Sequence, residues 1–85
     1  MKYNRDYIIS VHKYSIHHKS ELLQSKNCGC FYCEKLFKPT EILDWVNDKL
    51  GDTALCPKCG IDSVLSDQHP VEDPEFLNQM NKYWF

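Results

Sequence analysis

The chain has 85 residues, 42% of them hydrophobic, with ten Lys and Arg against twelve Asp and Glu and five cysteines. That length leaves room for one small domain, 1–85, and excludes a cofactor domain joined to a substrate domain. A core this small calls for a staple, a metal or a disulfide, while the apolar fraction is too high for a disordered chain. The net charge of −2 hides an asymmetry: residues 1–38 carry seven basic and three acidic residues, and residues 39–85 carry three and nine. Bulk attraction to nucleic acid calls for the opposite net sign.

The elements follow in chain order. Met1-Lys2-Tyr3-Asn4-Arg5-Asp6 has no apolar stretch of the kind a secretory leader needs, and no later run approaches a membrane span. The expectation is a soluble, cytoplasmic protein. Asn4 is placed to cap a helix, and Tyr7, Val11, Tyr14, His18 and Leu22 follow at steps of four, three, four and four. That stripe predicts one helix over about 4–25, or a shorter one capped by Ser15. After the cysteine-rich stretch 27–33, Pro39-Thr40 opens a second predicted helix through about Leu50. Ile42, Leu43, Trp45, Val46 and Leu50 are its apolar positions and Gly51 its C-cap. Thr53-Ala54-Leu55 and Ile61-Asp62-Ser63-Val64-Leu65 read as strands of a hairpin across the second cysteine turn. Asp73 then caps a last helix, about 74–84, with Pro74 at its first position and Phe76, Leu77, Met80, Tyr83 and Trp84 on one face.

Cys30-x2-Cys33 and Cys56-x2-Cys59 form the strongest signal. Each C-x-x-C turn presents two sulfurs to one side, and two such turns complete the tetrahedron that Zn²⁺ accepts. The expectation is one structural Zn²⁺ per chain, held by Cys30, Cys33, Cys56 and Cys59 within a zinc core over 28–65. Pro57 stiffens the second turn and Gly60 suits a left-handed position, whereas Glu34 stands at the matching place in the first. Disulfides fit poorly with an odd cysteine count and no leader. A redox dithiol at Cys56-Pro57-Lys58-Cys59 fits poorly with the glycine and strand-like run that follow it. Cys28 is either a spare thiol or, through Cys28-x-Cys30, an alternative ligand. As a spare thiol it should tolerate replacement by serine.

The expected fold is a small α+β zinc-stapled domain, treble-clef or zinc-ribbon-like, with flanking N- and C-terminal helices. The segments Cys28-Gly29-Cys30-Phe31-Tyr32-Cys33, Pro39-Thr40-Glu41-Ile42-Leu43-Asp44-Trp45-Val46 and Thr53-Ala54-Leu55-Cys56-Pro57-Lys58-Cys59-Gly60-Ile61-Asp62-Ser63-Val64 carry a resemblance. They resemble a widespread family of small bacterial four-cysteine zinc-binding proteins described as cytoplasmic, to which no activity is attached. The likeness takes in His18-Lys19-Ser20-Glu21-Leu22-Leu23 and Lys82-Tyr83-Trp84-Phe85, and so covers the chain from about His17 onward. It implies a bacterial or phage source and a treble-clef-like or ribbon-like zinc fold. A weaker similarity is to HNH nucleases, but no histidine lies between Cys33 and Cys56, so their catalytic centre is missing here.

Three functions are weighed from these residues. The first is a non-enzymatic zinc module that binds a protein partner through Phe31 and Tyr32 and an acidic helix face of Glu41, Asp44 and Asp48. The second is nucleic-acid binding through Arg5, Lys13, His17, His18 and Lys19 on the first helix, with Lys26, Lys35 and Lys38. The third is a degenerate HNH-like or thiol-redox enzyme, with Cys28 as nucleophile and His17 or His18 as base.

Overall fold

A computed structural model describes residues 3–85; Met1 and Lys2, which open the stretch read above for a leader, lie outside the described residues. The chain forms α1 (Arg5–Val11), a 3₁₀ turn (His12–Ser15), α2 (Lys19–Leu23), β1 (Cys28–Cys30) and β2 (Leu36–Phe37). A second 3₁₀ turn (Pro39–Glu41), β3 (Trp45–Val46), β4 (Thr53–Ala54), β5 (Val64–Ser66) and α3 (Pro74–Trp84) complete it. This is a small α+β protein with two sheets, one ordered β2-β1-β5 and one β3-β4. Among the described residues no helix is long and apolar enough to cross a membrane.

Asn4 caps α1 as expected, its side chain accepting the Asp6 N–H at 2.7 Å. The single helix over 4–25 does not form. His17 turns the chain at φ 52°, and two donors that a continuing helix would use are claimed from outside. The His17 N–H donates to Thr53 Oγ1 at 2.9 Å and the His18 N–H to the Asp52 carbonyl at 3.0 Å. Ser15 does not cap the second piece either; its hydroxyl donates back to the His12 carbonyl. Of the predicted stripe, Val11, His18 and Leu22 are buried, while Tyr7 and Tyr14 stay at the surface.

The helix predicted over Pro39–Leu50 is replaced by one 3₁₀ turn and strand β3. Trp45 pairs with Ala54 and Val46 with Thr53 in an antiparallel ladder. The loop between them is held by Asp48, whose carboxylate accepts the Leu50 N–H and whose carbonyl accepts that of Gly51. Ile42 reaches the core, whereas Leu43 is 84% and Leu50 80% exposed. Gly51, expected as a C-cap, lies in this loop against His17.

The predicted hairpin across the second cysteine turn is also corrected. Thr53 and Ala54 are taken by β3, and β5 pairs instead with β1, matching Cys28 with Ser66, Gly29 with Leu65 and Cys30 with Val64. Alternation along these strands sends their residues to opposite sides. Leu65 packs with Ile8, Val11, Phe31, Val71, Phe76, Leu77 and Met80, the α1–α3 side. Cys28, Cys30 and Val64 pack with Leu22, Phe37, Ile42, Ala54 and Cys56. Gly29 permits the first packing, because a Cβ there would stand 2.8 Å from Val71 Cβ.

The last helix forms over Pro74–Trp84 as read, although Tyr83, expected on its apolar face, is 42% exposed. Asp73 accepts the Glu75 N–H at 3.0 Å, Pro74 occupies the first turn, and Phe76, Leu77 and Met80 are buried.

Candidate metal centre

Cys30 closes β1 and Cys33 follows in the turn to β2. Cys56 and Cys59 occupy the turn between β4 and β5. The two turns match bond for bond. In the first, the Tyr32 N–H points at Cys30 Sγ (3.4 Å), the Glu34 N–H donates to the Cys30 carbonyl (2.8 Å), and the Cys30 N–H donates to the Lys35 carbonyl (3.1 Å). In the second, the Lys58 N–H points at Cys56 Sγ (3.3 Å), Gly60 donates to the Cys56 carbonyl (2.8 Å), and Cys56 donates to Ile61 (2.9 Å). Both turns close on a left-handed residue, Glu34 at φ 62° and Gly60 at φ 83°. The glycine takes that conformation freely; the glutamate accepts a cost on the order of 1 kcal/mol, so the turn geometry overrides the local preference.

The four sulfurs all lie within 4.8 Å of one another. Cys30 and Cys59 are 3.7 Å apart across the turns, as are Cys33 and Cys56. Four ligands at about 2.3 Å in a tetrahedron have edges of about 3.8 Å, so the spacing fits a thiolate-bound Zn²⁺. Cys30 and Cys56 are buried, and Cys33 and Cys59 are partly open to solvent. Burial pushes the Cys30 thiol up, against the opposing pull of Ser63 and of the Cys33 and Tyr32 N–H groups. At Cys56 burial is outweighed by the N–H groups of Lys58 and Cys59, and the thiol is lowered. Burial also raises Cys59. Four thiolates this close would repel one another strongly, and a divalent cation held among them would stabilise the fully ionised set.

Cys28 stands outside this group. It is fully buried in β1, and burial together with the Asp67 carboxylate pushes its thiol up to about 12. The choice left open by Cys28-x-Cys30 falls on Cys30, whose sulfur lies within 4.8 Å of those of Cys33, Cys56 and Cys59. A thiol held neutral and sealed from solvent does not suit a nucleophile. His18, weighed as its base, is locked elsewhere: Nδ1 donates to the Tyr14 carbonyl at 2.9 Å and Nε2 accepts the Ala54 N–H at 3.0 Å. His17 Nε2 lies 3.2 Å from Asp48.

The residues expected to form an interaction surface are not brought together. Phe31 is 1% exposed and belongs to the core on the α1–α3 side, with its ring 5.8 Å from Phe85 and 6.0 Å from His12. Tyr32 is 46% exposed and sets its ring edge-on to Phe85 at 4.8 Å. Glu41, Asp44 and Asp48 share no helix face, because that helix is absent. The Glu41 carboxylate holds the Lys38 N–H and Lys58 Nζ, Asp48 holds the Leu50 N–H and His17, and Asp44 is exposed. The basic residues expected on one first helix are spread likewise: Arg5 on α1, Lys13 in the 3₁₀ turn, His17 and His18 between that turn and α2, Lys19 on α2, and Lys26, Lys35 and Lys38 beyond it. Arg5 sits over the Tyr83 ring and Lys13 over Tyr14, and Lys19 lies over Trp45 beside Asp52.

Two polar features escape the sequence reading. Ser63 Oγ stands 3.0 Å from Cys30 Sγ. Glu21 joins α2 to the end of β5, accepting the Ser66 hydroxyl and lying 3.5 Å from His69 Nε2. Neither has a spacing signature, since both depend on strand pairings distant in sequence.

Comparison with protein-family models, with curated proteins and with solved structures finds no match to this chain. The functional reading rests on the geometry of the cysteine group.

Proposed function

We propose that Cys30, Cys33, Cys56 and Cys59 hold one structural Zn²⁺, and that the stapled module acts by binding another protein. The observation that carries the first part is the convergence of four sulfurs within 4.8 Å from two equivalent turns. Four cysteines fill the coordination shell and leave no position for water or substrate, which supports a structural ion over a catalytic one. The two turns are separated by β2, β3 and β4, so the ion joins segments that lie far apart along the chain.

Partner binding is supported at the aromatic pair Tyr32 and Phe85. Both are exposed, at 46% and 58%, and they are stacked edge-to-face beside the first cysteine turn. Asn81 pins the turn there, its amide donating to the Tyr32 carbonyl at 2.8 Å. Rigid aromatics at the surface are the side chains that anchor protein interfaces. Affinity capture with the wild-type protein and with a Tyr32→Ser, Phe85→Ser double variant tests this. Specific partners should be lost from the variant while its zinc content stays at one. A partner set unchanged by the two substitutions removes the site.

A further inference from the structure

Ser63 is 2% exposed, and its hydroxyl lies 3.0 Å from Cys30 Sγ. Its carbonyl accepts the Phe31 N–H at 3.0 Å, so the segment that builds the first cysteine turn also fixes where Ser63 stands. Cys30 Sγ thereby meets the Tyr32 N–H at 3.4 Å and the Ser63 hydroxyl at 3.0 Å. Cys56, its counterpart in the second turn, meets the Lys58 N–H at 3.3 Å and no such hydroxyl among the described residues. The turns agree in their backbone and differ in this hydroxyl.

What the contact is worth depends on the state of the sulfur. Between a neutral thiol and a hydroxyl either group can donate, and the bond is weak. A metal-bound thiolate can only accept, so the hydroxyl must donate, and a hydrogen bond to an ionised partner is roughly twice as strong as a neutral one. Cys30 is also the most buried of the four sulfur ligands, with 0% exposure, so water cannot solvate its charge there. The gain from the hydroxyl falls on the metal-loaded state.

We infer that Ser63 is a positioning residue of the metal site, its hydroxyl fixing Cys30 Sγ through an O–H···S bond and thereby tightening the grip on the ion. This role rests on the metal reading above. Groups that hydrogen-bond to metal ligands typically change affinity by about 10–100-fold when removed.

The test compares wild type, Ser63→Ala and Ser63→Thr, each loaded with Zn²⁺ or Co²⁺ and competed against a chromophoric chelator. Ser63→Ala should lose metal affinity by about 10–100-fold, and its sulfur-to-cobalt charge-transfer band should shift, because the electron density on one sulfur has changed. Ser63→Thr keeps the hydroxyl and should restore the wild-type band. A purely structural role would move stability and leave the band in place. An Ala variant with wild-type affinity and wild-type band overturns the role of Ser63 alone. Wild-type protein that binds neither ion through its thiols overturns the metal reading, and this role with it.

Discussion

Glu34 occupies a left-handed position, φ 62°, that its partner turn gives to Gly60. Relieving it is the simplest test that the first cysteine turn has the geometry of the second. Glu34→Gly should stabilise the metal-loaded protein by about 1 kcal/mol, read as a higher denaturant midpoint at unchanged slope. A loss of stability would mean that the carboxylate matters more than the strain. Cys28 calls for a different expectation from the tolerance its spare-thiol status suggests. It is fully buried between Ser66 and Phe37 in the ladder, so Cys28→Ser places a hydroxyl in an apolar core. That should cost about 1–3 kcal/mol while leaving the zinc count at one.

His18 gives the residue scale its pH dependence. Its pKa is lowered, first by burial, against the pull of the Tyr14 carbonyl. Protonation would also set a proton against the Ala54 N–H that Nε2 now accepts. Because the folded pKa lies below the unfolded value of about 6.5, the unfolded chain takes up the proton first. Stability is therefore full above about pH 6.5 and falls as pH drops from there toward the folded pKa. His69, lowered chiefly by burial, adds to the same window. His18→Gln retains an acceptor that cannot titrate, and urea titrations at saturating zinc should show a shallower decline for it. An unchanged decline would assign the effect elsewhere.

At the scale of elements, the segment 39–50 separates pattern from outcome. Ile42, Leu43, Trp45, Val46 and Leu50 fit a helical spacing, yet the structure uses them in a turn, a short strand and a loop. Ile42→Ala should cost about 2–5 kcal/mol as a core truncation. Leu43→Asn and Leu50→Asn should each stay within about 0.5 kcal/mol, the usual range for surface changes. A Leu50 variant as costly as the Ile42 variant would restore the helix. The C-terminal helix was legible because its signals are local: Asp73 and Pro74 start it, and Phe76, Leu77 and Met80 follow close behind on one face. The cysteine turns were legible for the same reason, each being complete within a few consecutive residues. Strand pairing was not, since β1 joins β5 from far along the chain and the match of Cys30 with Val64 leaves no trace in either segment alone. The first helix broke for a related cause. Its stripe continues smoothly through His17 and His18, but their N–H groups bond to Thr53 and Asp52, distant in sequence.

On the scale of the whole molecule, the sheet β2-β1-β5 divides two cores. One is helical, built from α1, α3 and Phe31; the other contains the buried cysteines with Leu22, Phe37 and Ile42. β1 belongs to both, through Gly29 against Val71 on one face and Cys30 in the four-cysteine group on the other. On the proposed reading, free energy of metal binding would be free energy of folding for the cysteine side. The burial of Cys28 sharpens what a thiol count can say. With an ion bound as proposed, four thiols would be sheltered by it and the fifth by the core.

The most direct measurement is native mass spectrometry of protein purified without added metal, with alkylation of thiols before and after chelation. A four-cysteine zinc staple predicts one zinc per chain, no thiol modified while the ion is bound, and all five modified once chelation has opened the fold. Protein that carries no zinc, or that keeps it while Cys30, Cys33, Cys56 or Cys59 is alkylated, would contradict the four-cysteine staple.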